Sequence, residues 1–242
     1  MTVLRSAVFN LYFFGATLVM TLAGMPLAVF APHRVPMIAI QWARLIVGGA
    51  RVICGIRLEV SGREWLPTGG PALIASLHQS AYDTVVWLTL LPRCCYVLKH
   101  ELARIPLFGL LIRLSGMIAV DRAAGAMSMR HLLREADRAV REQRQIVIFP
   151  EGTRGAPDQP LPLQPGVAAL AARTRLPVIP VVTNSGLLWG RRAFHKHPGV
   201  IHIQLRPPIQ AGTPRETLMR RLDTVFRSGI GPAPGAVDKF VG

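Results

Sequence analysis

Negative charge is scarce in this chain. Thirteen Asp and Glu stand against 28 Lys and Arg in 242 residues, a formal charge of +15, and no carboxylate precedes Glu59. Lysine is scarcer still, confined to Lys99, Lys196 and Lys239, so arginine carries the excess. Such a balance implies anionic partners, either acidic lipid head groups or nucleic acid. No recognition-helix, zinc or aromatic-platform pattern accompanies the charge, so anionic membrane lipid is expected and no nucleic acid. Cysteine is limited to Cys54, Cys94 and Cys95. An odd count without ligand spacing excludes a disulfide framework and a zinc site, and no metal is expected. Ser80 lacks the Gly-x-Ser-x-Gly elbow of a serine hydrolase.

Charge is missing altogether from Ser6 to Ala31. Half of the chain is hydrophobic and the mean hydropathy is +0.35, high for a freely soluble domain. The 20 residues from Ser6 to Met25, ahead of a Gly24-Met25-Pro26 breaker, would reach ~30 Å as a helix, the thickness of a bilayer core. Met37 to Val52 is apolar but carries Gln41, Arg44 and Arg51, which suits an amphipathic helix in the interface. Residues 1–55 are therefore expected to anchor the chain to a membrane, 56–228 to form the domain that does the chemistry, and 229–242, rich in Gly and Pro, to be a flexible tail. His33, Arg34, Arg44 and Arg51 follow the first segment and Arg5 alone precedes it, which predicts the domain on the cytoplasmic side.

From Ile56 onward, short apolar runs alternate with helix-length segments. Strands are predicted at Ile56–Val60, Ala72–Leu77, Cys94–Leu98, Met117–Val120, Ile146–Phe149, Val178–Val182 and Ile201–Leu205. Pro180 argues for an edge or irregular position in its strand. Helices are predicted from Thr84 to Leu91, from about Ser128 to Gln143 with Leu132, Ala136 and Val140 as the inward stripe, and from Pro214 to Arg227. Alternation of this kind argues α/β, with a mostly parallel sheet covered by helices on both faces. In such sheets ligands bind beyond the carboxyl ends of the strands.

Polar groups gather at those ends. His78 follows the Ala72–Leu77 run, Lys99 the next, Asp121-Arg122 the next, and Glu151-Gly152-Thr153-Arg154 the next. Ser80 with Asp83 three residues on has the capping-box form, which predicts Ser80 as N-cap and Asp83 in the first helical turn. From there the Asp83 carboxylate can orient the His78 imidazole and stabilise its protonated form, a general-base pair for a hydroxyl. A lone histidine beside a carboxylate is also met as a plain structural cap; charge at four strand ends along one rim weighs for catalysis. Arg122 and Arg154 offer bidentate forks to a phosphate and Lys99 a point charge. Gly152 permits a tight turn that exposes backbone N–H groups to an anion. Glu151 suits a substrate hydroxyl or the orientation of Arg154.

These residues resemble the blocks of the glycerolipid acyltransferase family, most closely its bacterial members that act on 1-acyl-glycerol-3-phosphate. The blocks stand in order: His-x4-Asp at His78 to Asp83, Gly-x4-Asp-Arg at Gly116 to Arg122, Phe-Pro-Glu-Gly-Thr-Arg at Phe149 to Arg154, and Val-Ile-Pro-Val at Val178 to Val181. Lys99-His100-Glu101-Leu102 and Ile105 to Gly109 are similar too, so the likeness covers roughly Ile56 to Leu205. Leu77 stands where many members have Asn, Gly155-Ala156-Pro157 where Ser is usual, and Leu163 to Gly166 lacks a common Lys. The resemblance implies acyl transfer from acyl-CoA or acyl-carrier protein to the sn-2 hydroxyl of a lysophospholipid acceptor, 1-acyl-glycerol-3-phosphate, giving phosphatidic acid at the bacterial inner membrane. His78 would be the base, Asp83 its orienter, and Lys99, Arg122, Glu151, Gly152, Thr153 and Arg154 the acceptor-binding groups, with no cofactor beyond the acyl donor. A lyso-ornithine lipid acceptor, or a non-catalytic role in binding anionic lipid, stays open at this level.

Overall fold

The computed structural model describes residues 2–121, 124–157, 159 and 161–231. Seven strands, β1 (Ile56–Ser61), β2 (Ala72–Ser76), β3 (Cys94–Lys99), β4 (Ile118–Val120), β5 (Gln145–Ile148), β6 (Val178–Thr183) and β7 (Gly199–Leu205), form one sheet in the order β1-β7-β6-β2-β5-β3-β4. All neighbours are parallel except β6 and β7. The central strand β2 is buried along its whole length, and its side chains alternate between two cores. Ala72 and Ile74 join one, Leu73 and Ala75 the other, as the two-residue period of a strand demands. That explains why its first four positions, Ala72 to Ala75, are all apolar.

Helices fill both faces. On one lie α2 (Val35–Cys54) and α3 (Asp83–Leu90); on the other α5 (Gly125–Arg141), α6 (Gly166–Thr174) and α8 (Arg215–Ser228). The short helices α4 (Phe108–Leu114) and α7 (Ser185–Leu188) complete the connections. The predicted α/β class and mostly parallel sheet are what the structure has.

Two details differ from expectation. β6 is an interior strand, although it contains Pro180. The proline carbonyl accepts Arg206 N–H (2.9 Å) on the β7 side, and the ladder with β7 starts only at Val181, so the missing donor falls beyond the end of that ladder. Nor does the Gly24-Met25-Pro26 triplet break the first helix. α1 runs Thr2–Phe30 with Pro26 inside it, and Gly24 is a close-packing site, where a Cβ would sit 3.0 Å from Leu111. The chain reverses instead at Ala31 to Arg34.

α1 and α2 are each long and apolar enough to cross a membrane, and they suit membrane association as an anchor. They are not alike. Ala43, Ile46, Ala50 and Cys54 of α2 belong to the sheet's own core, whereas α1 leaves Leu4, Leu11, Phe14, Leu18 and Leu22 exposed. One helix therefore covers the domain, and the other presents an apolar flank of the kind lipid covers.

Candidate active site

β2 ends at Ser76 and the chain turns through His78 into α3 at the carboxyl rim. Asp83, the first residue of α3, folds its carboxylate back over this turn. Its Oδ2 accepts the N–H of Gln79 (2.7 Å) and of Ser80 (2.8 Å) and lies 3.4 Å from His78 Nδ1. Half of the predicted capping box is thus present. Ser80 Oγ, however, accepts Tyr82 N–H (3.0 Å), and the helix starts at Asp83, later than a Ser80 cap implies. The carboxylate that would have supported the first turn is taken up by the donors of residues 78–80. Asp83 is 2% exposed, its Oδ1 has no hydrogen-bond partner among the described residues, and His78 Nε2 makes no hydrogen bond to them either.

The loop after β5 clamps the same histidine from the other side. Glu151 Oε2 accepts His78 N–H (2.7 Å), and Gly155 N–H donates to His78 C=O (2.8 Å). Phe149 stacks on the imidazole with centroids 4.1 Å apart and planes 21° from parallel, and Tyr96 backs Phe149. Ring, main chain and Nδ1 of His78 are all fixed. Burial pushes the Glu151 carboxyl up to about 7, against the pull of the His78 N–H and with the help of the Asp83 charge. Glu151 forms no ion pair with Arg154 among the described residues, so the structure ties it to the histidine rather than to the arginine. Gly152 has φ +71°, the left-handed turn expected of it, but its own N–H is used to close that turn on Phe149 C=O (3.0 Å).

Arg154 stands next to the pair without a carboxylate at ion-pair distance among the described residues. Burial, and then the charge of Arg191, lower its pKa; Asp83 opposes this and Arg192 adds to it. Lys99 and Thr153 are exposed at the same rim. Lys99 ends β3, which β5 separates from β2, roughly 10 Å away at ordinary strand spacing. Arg122 lies outside the described residues; the preceding Asp121 is 3.8 Å from His100 Nδ1. The structure therefore gathers His78, Asp83, Glu151 and Arg154 closely, and sets Lys99 to one side. Among the described residues no group of three or more His, Cys, Asp and Glu is placed to hold a metal ion.

Several site residues were missed by sequence reasoning. Gln79 is buried and its Oε1 accepts Gly186 N–H (3.2 Å), which docks α7 on the histidine turn. Arg191 Nη1 donates to Arg154 C=O (3.4 Å). The rule that charge after an apolar strand marks the rim would have reached Arg191 and Arg192 after β6, had the one-turn helix between them been anticipated.

The rim of the mostly parallel sheet thus carries a preorganised histidine–carboxylate pair beside an arginine with no acid at ion-pair distance among the described residues. Residues 57–184 match the family described as Acyltransferase, and the chain belongs to that family. It is 34% identical over 171 residues to the 1-acyl-sn-glycerol-3-phosphate acyltransferase of Pseudomonas aeruginosa, covering 71% of this chain and 66% of that protein. To the protein of the same name from Limnanthes alba it is 33% identical over 169 residues, covering 68% and 59%. The matched stretch thus spans about three-fifths to two-thirds of these relatives' length. The crystal structure of the 1-acyl-sn-glycerophosphate (LPA) acyltransferase of Thermotoga maritima superposes with a TM-score of 0.75 at 20% identity, over 94% of this chain and 95% of that one, and shows the same fold.

Proposed function

We propose that this protein transfers an acyl group from a thioester, acyl-CoA or acyl-carrier protein, to the sn-2 hydroxyl of 1-acyl-glycerol-3-phosphate, forming phosphatidic acid. The observation that carries this reading is the His78–Asp83 pair, with Nδ1 turned to the carboxylate and Nε2 left open. Nε2 takes the hydroxyl proton as the acceptor oxygen attacks the thioester carbonyl. Asp83 holds the tautomer and stabilises the imidazolium that forms. The carbonyl re-forms as the C–S bond breaks, and the thiolate takes a proton from His78 or from water. Attack is direct, so no acyl-enzyme forms.

Arg154, together with Lys99 and Arg122, binds the acceptor phosphate. Gly152 and Thr153 shape the turn that presents Arg154. Glu151 contributes by holding His78 N–H. The apolar flank of α1 keeps the enzyme at the bacterial inner membrane, where the acceptor enters from the leaflet, and the arginine bias of residues 33–51 keeps the domain on the cytoplasmic side.

Thiol release from acyl-CoA by the detergent-purified full chain tests the reading, with lysophosphatidic acid, glycerol 3-phosphate and lyso-ornithine lipid as parallel acceptors. Release with lysophosphatidic acid is expected, and His78→Ala should lower it by ~10²–10⁴. Release only with lyso-ornithine lipid would overturn the phosphate acceptor. A fall of less than about ten-fold in His78→Ala would remove the histidine from its role as base.

A further inference from the structure

The segment between α7 and β7 carries two arginines that the reading above does not use. We propose that Arg191 and Arg192 are acceptor-binding residues, which act with Arg154 on the phosphate of the lysolipid. This rests on the acyltransfer function proposed above and adds residues to it.

Four features of the segment support the assignment. It is held at the histidine turn, because α7 docks on Gln79. A Cβ at Gly186 would lie 2.9 Å from Gln79 Cβ and 3.0 Å from Pro157, so that contact leaves no room for a side chain. Arg191 reaches from it to the main chain of Arg154 (3.4 Å). Neither Arg191 nor Arg192 has a carboxylate at ion-pair distance among the described residues. Guanidinium groups crowded without an acid repel one another, and a phosphate dianion offers the missing charge in bidentate form. Arg192 moreover sits at φ +54°, a backbone conformation that residues other than glycine rarely adopt and that concentrates at binding sites.

The two ends of the segment point to which substrate the arginines meet. Trp189 packs edge-on against Phe9 (5.1 Å) and Phe13 (5.9 Å) of α1, and on its other side against Tyr82 of the histidine turn (6.4 Å). Lys196 is buried, with Nζ bonded to Asn10 Oδ1 of α1 and Phe194 C=O, and its N–H donates to Ser6 Oγ. Leu187 and Phe194 are 58% and 47% exposed nearby in the chain. The arginines thus belong to a segment that meets the histidine turn through Trp189 and the anchoring helix through Trp189 and Lys196. A lysolipid whose chain stays in the leaflet brings its phosphate to that position, whereas a water-borne thioester donor does not need to approach along the anchor.

The test is steady-state kinetics of the full chain in mixed micelles, comparing wild type with Arg191→Gln/Arg192→Gln and with Arg191→Lys/Arg192→Lys. Losing two charge-assisted contacts should raise KM for lysophosphatidic acid roughly ten- to hundred-fold in the Gln pair, with partial recovery in the Lys pair. KM for acyl-CoA should stay within about two-fold, and the preference for lysophosphatidic acid over phosphate-free 1-acylglycerol should shrink by the factor lost in KM. An unchanged KM for lysophosphatidic acid, or a rise confined to the KM for acyl-CoA, would overturn the proposal while leaving the acyltransfer reading intact. A wild-type enzyme that acylates only phosphate-free acceptors would bring down this proposal and the phosphate acceptor together, with acyl transfer itself left standing.

Discussion

The two flanks of His78 are built on opposite terms. Towards β5 nearly every polar group is answered: Asp83 Oδ2 by two backbone N–H groups and the imidazole, Glu151 by His78 N–H, and His78 C=O by Gly155 N–H. Towards β6 the guanidinium groups of Arg154, Arg191 and Arg192 share one region without an acid among the described residues. One flank is largely paired before any substrate arrives, and the other has no counter-charge among the described residues. The difference separates two tasks, since chemistry needs atoms already in place, while anion binding needs charge left unspent.

The comparison predicts different responses to substitution on the two sides. Asp83→Asn keeps an acceptor for the Gln79 and Ser80 N–H groups but removes the charge facing His78. The fold should survive, judged by its melting curve, while kcat falls ~10²-fold or more. Equal kcat would show that the completed flank is structural only.

A smaller effect is expected at Glu151, and it depends on pH. The folded carboxyl titrates at about 7 against a usual 4.5, so the folded state holds its proton longer than the unfolded state. Its contribution is fully present below pH 4.5 and is lost as pH rises through 7. Glu151→Gln keeps an acceptor for His78 N–H and carries no charge. It should therefore be more stable than wild type at pH 8, by up to about 3 kcal/mol, with the gap closing towards pH 4. Denaturant melts at both pH values measure this, and a gap independent of pH would show that burial of the charge is not what sets it.

The smallest effect belongs to the arginine flank. Arg154→Gln breaks no ion pair with the described residues and relieves repulsion from Arg191 and Arg192, so stability in the absence of substrate should change by no more than about 0.5 kcal/mol. A loss of 2 kcal/mol or more would mean that the arginine is structural and the contrast is false.

Much of the scaffold was legible because periodicity reports burial. Fully apolar runs marked strands covered on both faces, and charge after each run marked one rim. Proline was misread at Pro26, and at Pro180 the edge alternative failed, because sequence shows the lost N–H but not whether a neighbouring carbonyl or ladder needed it. Gly116 illustrates another limit. Its φ of +70° and the Arg144 guanidinium packed where a Cβ would stand explain the glycine of the Gly-x4-Asp-Arg block by packing, and only the fold brings residue 144 there. Arg191 and Arg192 were missed because a pair of exposed arginines in a loop reads as solvated charge. Lys196 was missed for the opposite reason, since a lysine buried against Phe9, Trp189 and Phe194 leaves no pattern in a sequence.

That buried lysine bears on how far the enzyme is modular. Ser6, Phe9 and Asn10 of α1 meet Lys196 and Trp189 at fixed positions, so the anchor works as a keyed part and not as an interchangeable apolar tether. A foreign hydrophobic hairpin of the same length would hold the domain at the bilayer yet leave the Lys196 ammonium without its Asn10 partner. Grafts between relatives should therefore carry α1 and residues 189–197 together.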